Sequence, residues 1–225
     1  MSALIQSIVR QAKITFLKKP CNETEVNKLY KLVQQLTAAD VGIGDALFKR
    51  LPQYPAPVLF IPVYDHEDFT ITIFVLKQGR RIPMHNHPGM TGILKVLLGT
   101  ARVESFSPIP PPSQSAFSYF FGKKPKPGTY ALRHDPISVS ASDDPCRLAP
   151  ERGNIHEVLA GDGPVAFLDV LAPPYHNGER DCVYFKLLPD DENSPNEKCF
   201  LREIPAPEDF WCNTLSYEGP TIEEN

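Results

Sequence analysis

The chain has 225 residues, 42% of them hydrophobic, and a net charge of −4 from 23 basic and 27 acidic side chains. That length suits one domain with a substantial core, and the slight acidity offers no electrostatic footprint for nucleic acid or an anionic membrane surface. The N-terminal stretch, interrupted by Gln6, Arg10, Gln11 and Lys13, reads as neither a signal peptide nor a membrane span. Leu4, Ile8 and Ala12 recur at helical spacing and predict a helix over residues 2–16. Val26, Leu29, Tyr30, Val33 and Leu36 form an i, i+3, i+4, i+7 stripe, which predicts a second helix over 23–37. Asn22 or Thr24 is the candidate cap, and the stripe reads as a helix packing face. Gly42 and Gly44 break the pattern. We expect residues 1–45 to form a helical segment lying on a β domain of residues 46–225, a single domain overall.

From residue 58 the period changes. Residues 58–61 and 69–75 predict strands, as do 92–98 and 101–106, which are joined by a hairpin or bend at Gly99-Thr100. Residues 107–128 hold Pro108, Pro110, Pro111, Pro112, Pro125 and Pro127 and predict a long surface excursion. Strand-like segments return near 137–141, 155–160, 165–171 and 182–188. Residues 190–197 read as an acidic loop, and the tail from Pro205 as extended, with Trp211 pinning it to the domain. Many short strands punctuated by 24 prolines, after a helical preface, predict a mainly β protein, a sandwich or small barrel. Cys21, Cys146, Cys182, Cys199 and Cys212 lie scattered without a CxxC pair, so free thiols in a reducing cytoplasmic or nuclear setting are expected.

The most specific pattern is His85-Asn86-His87 with a distant His156. Residues i and i+2 of a strand point to one face, so two imidazoles enter one space and another strand supplies the third. Three neutral imidazoles on one side of a metal leave its other positions open for substrate, as a closed structural site does not. Alone, an HxH pair is weak evidence. His66, His134 and His176 read as loop or turn residues, and Glu157 should point away from its neighbour His156. Asp169 lies in an otherwise apolar run, Val165 to Leu171, where a buried carboxylate needs a partner. Three roles for it remain open: binding a substrate amine, orienting a ligand histidine, or anchoring a loop.

Gly79, His85, His87 and Gly99, followed by Pro150, Gly153 and His156, resemble the two motifs of cupins. Gly92 stands where the usual glutamate ligand would be. The phrases His85-Asn86-His87-Pro88-Gly89-Met90, Leu94-Lys95-Val96-Leu97, Asn154-Ile155-His156, Leu168-Asp169-Val170-Leu171-Ala172-Pro173-Pro174-Tyr175 and Arg180-Asp181-Cys182 with Tyr184 resemble the cysteamine (2-aminoethanethiol) dioxygenase family. That family includes the plant cysteine oxidases.

The resemblance covers residues 55–190. It implies a double-stranded β-helix (jelly-roll barrel) with N-terminal helices, and non-haem Fe(II) held by His85, His87 and His156. It further implies addition of both atoms of O2 to the thiol of cysteamine or of an N-terminal cysteine, the latter feeding oxygen-dependent N-degron signalling. Asp169 and Tyr175 match residues lining the family's substrate pocket, and Cys182 and Tyr184 match a pair able to form a Cys–Tyr crosslink. Another metal-dependent cupin enzyme and a non-catalytic ligand-binding cupin are the competing readings. Free cysteine fits less well as a substrate, since the matched motifs supply no arginine for its carboxylate. A monomer is expected.

Overall fold

Two helices open the chain because their apolar residues repeat at the helical period. The computed structural model describes residues 3–18, 21–110, 127–188 and 198–223. Helix α1 (Leu4–Phe16) buries Ile5, Ile8, Val9, Ala12 and Phe16. Helix α2 (Glu23–Gln34) starts where the Asn22 side chain accepts the Thr24 N–H at 2.8 Å, and Glu23 and Glu25 complement the dipole of its first turn. It stops short of Thr37, because the Asp40 carboxylate takes both the N–H and the hydroxyl of Thr37 and starts a separate turn. A short helix, α3 (Asp45–Arg50), follows. Among the described residues no helix is long and apolar enough to cross a membrane.

Among the described residues, thirteen strands make two sheets. Sheet A holds β1 (Val58–Asp65), β2 (Thr70–Leu76), β4 (Thr91–Leu98), β8 (Cys146–Leu148), β10 (Val165–Ala172) and β13 (Cys212–Thr214), in the order β13-β1-β2-β10-β4-β8. Sheet B holds β3 (Arg81–Asn86), β5 (Thr100–Pro108), β6 (Gly128–Arg133), β7 (Ile137–Ser140), β9 (Ile155–Ala160), β11 (Tyr184–Leu187) and β12 (Lys198–Ile204), in the order β6-β12-β11-β3-β9-β5-β7. The crossing order, with β2 beside β10 and β3 beside β9, is that of a double-stranded β-helix.

Alternation along the strands sorts the apolar residues into layers. Ile71, Ile73, Ile93, Leu168 and Val170 face outward from sheet A and form one core with Ile5, Ile8, Leu29 and Val33 of the two helices. Each such fully buried side chain contributes about 1.5–3 kcal/mol. Leu76, Ile82, Val96, Val103, Val158 and Phe167 fill part of the space between the sheets. Gly99, at the bend between β4 and β5, has φ +77°, and a Cβ there would meet the Pro164 carbonyl oxygen at 2.2 Å, so only glycine fits.

A second closure goes beyond the expected jelly roll. β6 also pairs with β5, so β6, β12, β11, β3, β9 and β5 form a closed six-stranded ring on the far side of sheet B. Its interior is filled by Met84, Phe106, Ala131, Ile155, Phe185, Leu187, Cys199 and Leu201. β6 and β12 are absent from the sequence reading. The predicted excursion at 107–128 shrinks at both ends, since β5 runs to Pro108 and β6 begins at Gly128, while residues 111–126 lie outside the described residues, as does the whole 190–197 loop. Trp211 does not pin the tail: it is 50% exposed. The tail is held instead by β13, parallel to β1, and by the inward neighbour Phe210.

Candidate metal centre

β3 and β9 lie side by side, with His85 directly opposite His156. Ile82 pairs with Val158, so β3 carries one residue more than β9 between the two pairs. This bulge, at Pro83-Met84, flips the alternation, letting Ile82 and His85 both face the inter-sheet cavity while Met84 enters the small ring. His87 lies just past the end of β3. Its N–H donates to Asn154 Oδ1 at 3.2 Å, and Asn154 Nδ2 donates back to the His87 carbonyl at 2.6 Å and to the Ala149 carbonyl at 3.3 Å. The buried Asn154 amide thus clamps the end of β3 to the start of β9.

The ligand-capable nitrogens of the three imidazoles lie within 4.8 Å of one another, and His87 Nε2 is 3.1 Å from His156 Nε2. Burial holds His85 down to about pKa 4, pushes His87 lower still and holds His156 well below the usual imidazole range, the last two also disfavoured by a neighbouring imidazole charge. All three are therefore neutral at physiological pH and offer lone pairs. The His85 Nδ1 meets the Pro83 carbonyl at 2.8 Å, an acceptor only, so Nδ1 carries the proton and Nε2 is bare. Tyr175 settles His87 in the same way: its hydroxyl donates to the Asn86 carbonyl at 2.7 Å and can only accept from His87 Nδ1 at 3.0 Å. Three converging neutral imidazoles, two with their outer nitrogens so held, suit a divalent transition metal.

Gly92 explains the missing carboxylate: a Cβ there would meet Leu148 Cγ at 2.9 Å. The histidines open onto a cavity of 390 Å³ whose walls include Phe60, Phe74, Phe167 and Phe210. Asp65 and Asp169 line it, and among the described residues no lysine or arginine does. Asp169 Oδ1 is buried without a hydrogen-bond partner, and desolvation raises the carboxyl pKa to about 7. Asp169 therefore orients no histidine by a hydrogen bond. Burial raises the Cys182 thiol, and a hydrogen bond from the Tyr184 hydroxyl pulls it back in part.

His85, His87, His156, Asp169, Tyr175, Cys182 and Tyr184 thus meet at one cavity, although Cys182 precedes β11 rather than lying in it. His66 stacks on Phe69, and Glu157 turns outward to Arg81 at 2.9 Å. His134 contacts Ser107 Oγ at 2.7 Å, and that hydroxyl accepts the Gly153 N–H, one residue before the clamp. Asn154 and Asn86 were missed as functional residues. Asn86 Oδ1 accepts the Val183 N–H at 2.9 Å and ties Cys182 and Tyr184 to the metal-bearing strand. The available signal was a polar side chain in a motif otherwise made of ligands and apolar residues.

A jelly-roll barrel with three converging histidines and no carboxylate ligand defines a three-histidine metalloprotein of the cupin type. Residues 32–222 match the family model described as PCO_ADO, and the chain belongs to that family. It is 35% identical to the 2-aminoethanethiol dioxygenase of Mus musculus, covering 99% of this chain and 97% of that one. It is 27% identical to plant cysteine oxidase 2 of Arabidopsis thaliana, over 90% of this chain and 76% of the relative. Among solved structures, an uncharacterised conserved protein with a double-stranded beta-helix domain from Klebsiella pneumoniae matches with a TM-score of 0.36 at 18% identity, over 55% of this chain and 79% of that chain.

Proposed function

We propose that the protein is a non-haem Fe(II) thiol dioxygenase acting on cysteamine, on the N-terminal cysteine of polypeptides, or on both. The observation that carries the proposal is the neutral three-histidine cluster opening onto a cavity with an unpartnered carboxylate and no lining cation. The names of the relatives, a 2-aminoethanethiol dioxygenase and a cysteine oxidase, support it. The reaction balances as a thiol plus O2 giving a sulfinic acid, with sulfur supplying all four electrons. Bound at His85, His87 and His156, iron supplies the redox centre and lowers the thiol pKa toward thiolate.

The protein residues do the rest. Asp169 Oδ1 accepts a hydrogen bond from the substrate ammonium, which supplies the partner the buried carboxylate lacks. Tyr175 and the Pro83 carbonyl fix two imidazole tautomers. The phenylalanine walls keep water out and strengthen the ammonium–carboxylate contact. Free cysteine would bring a second carboxylate beside Asp169 with no arginine to meet it. Cys182 and Tyr184, both at the cavity wall, support a thioether link in which the S–H and a ring C–H are lost and O2, the co-substrate already proposed, takes the two hydrogens as H2O2; intact mass would read the loss of two hydrogens. A monomer working in a reducing cytoplasmic or nuclear compartment completes the proposal.

The test is aerobic incubation of Fe(II)-loaded protein under ¹⁸O2 with cysteamine and with a peptide beginning in cysteine, read by mass spectrometry. Two labelled oxygens on sulfur are expected, together with iron as the metal that restores turnover to stripped protein. Metal-loaded protein that forms no sulfinic acid from either substrate overturns the proposal.

A further inference from the structure

A second register break delivers a second carboxylate into the cavity. Phe60 of β1 pairs with Phe74 of β2, Pro62 with Thr72, and Asp65 with Thr70. Phe74, Thr72 and Thr70 alternate along β2 and face the cavity. Phe60 and Asp65 are five residues apart, an odd number, and simple alternation would put them on opposite faces. The bulge at Val63 adds the extra residue, so Tyr64 turns out to stack on Phe69 and Asp65 turns in. Without the bulge, the cavity rim would carry a tyrosine and no charge. Asp65 is exposed, and no hydrogen bond or ion pair holds its side chain among the described residues.

Thr70 pairs in turn with Leu171 on β10, and Asp169 pairs with Thr72. Asp65 therefore sits two strands across and two residues along from Asp169. With strands about 4.8 Å apart and about 3.4 Å per residue, that is a backbone separation of roughly 12 Å. An extended peptide advances about 3.3–3.6 Å per residue. With its α-ammonium at Asp169, the side chain of its second residue reaches toward Asp65. Cysteamine, with four heavy atoms, ends well short of it.

We propose that Asp65 is a specificity-determining subsite that selects, among polypeptides beginning in cysteine, those whose second residue is lysine or arginine. The inference rests on the thiol dioxygenase reading for its substrate class, and on the Val63 bulge together with the buried, unpartnered Asp169 oxygen for its geometry. The contact is partly exposed, so selection is modest and weakens with salt.

The test compares kcat/KM for amidated peptides Cys-X-Ala-Ala with X as Lys, Ala or Glu. The expected order is Lys above Ala above Glu, with steps of about threefold carried in KM. Asp65→Asn should collapse the series, and Asp65→Lys should reverse it. A Lys-to-Glu ratio unchanged by either variant overturns the proposal, as does a loss uniform across the three peptides. Calorimetry with the matching Ser-X-Ala-Ala peptides, which cannot become sulfinic acids, reads the same preference without turnover. Graded affinities without any sulfinic acid would sink the activity reading and leave the subsite standing; equal affinities in wild type and Asp65→Lys would sink the subsite.

Discussion

β3 and β9 serve two interiors at once, and the two could hardly differ more. On one face Met84 and Ile155 join Phe106, Phe185 and Leu201 in a ring filled by side chains. On the other, His85 and His156 look into an open cavity of 390 Å³ with a carboxylate left unsatisfied. Alternating residues of the same strands thus build a solid buttress and a reactive hollow, and the rigidity of the first holds the geometry of the second.

The largest expected effect tests whether the hollow is a metal site at all: His156→Ala should remove bound metal, read by elemental analysis, and drop turnover to background. Truncating the buttress should do the reverse. Phe106→Ala, at a fully buried position, should cost about 3–5 kcal/mol by denaturant unfolding while the folded fraction keeps its metal stoichiometry. If that variant loses metal while still folded, the two interiors are more tightly coupled than the shared wall implies.

Residues between these extremes should have graded effects. Asn154→Ala breaks the clamp between β3 and β9, and should weaken metal affinity by about 100-fold in competition with a chelator. Tyr175→Phe removes the acceptor for His87 Nδ1–H, and should cost about tenfold. Asp169→Asn should keep its metal and lose turnover.

Two further effects are on stability against pH, and they have opposite signs. The unfolded chain protonates its histidines near pH 6.5, while buried His85 resists until about 4, so metal-free protein should lose stability as the pH falls through that window. Asp169 titrates near 7 when folded and near 3.8 when unfolded, so its burial should cost stability as the pH rises through that range. Asp169→Asn should remove the second slope and leave the first, as thermal melts of the metal-free protein from pH 4 to 8 would show.

The ligand set was legible because His85-x-His87 needs only strand alternation, and because Gly99 and Gly153 mark the turns around it. The helices were legible from Leu4, Ile8 and Ala12 and from Leu29 and Val33, whose spacing is local. The strands β6 and β12 were not, because they pair with each other from distant parts of the chain. The bulges at Pro83 and Val63 were also hidden. A bulge is defined by counting against a neighbouring strand, and no single stretch of sequence states that count. Hence Asp65, beyond the predicted strand over 58–61, was given no role, and Asn154 stood only as part of the phrase leading to His156.

The closed ring also orders events during synthesis. All three imidazoles have emerged by residue 156, yet the strands that back β3, β11 and β12, come from residues 184–204. A nascent chain that has emerged only through β10 carries His85 on a strand, β3, whose outer edge still lacks its neighbour β11. A metal ion met at that point finds donors on a scaffold still open at one edge, and a firm site waits for the C-terminal strands to close.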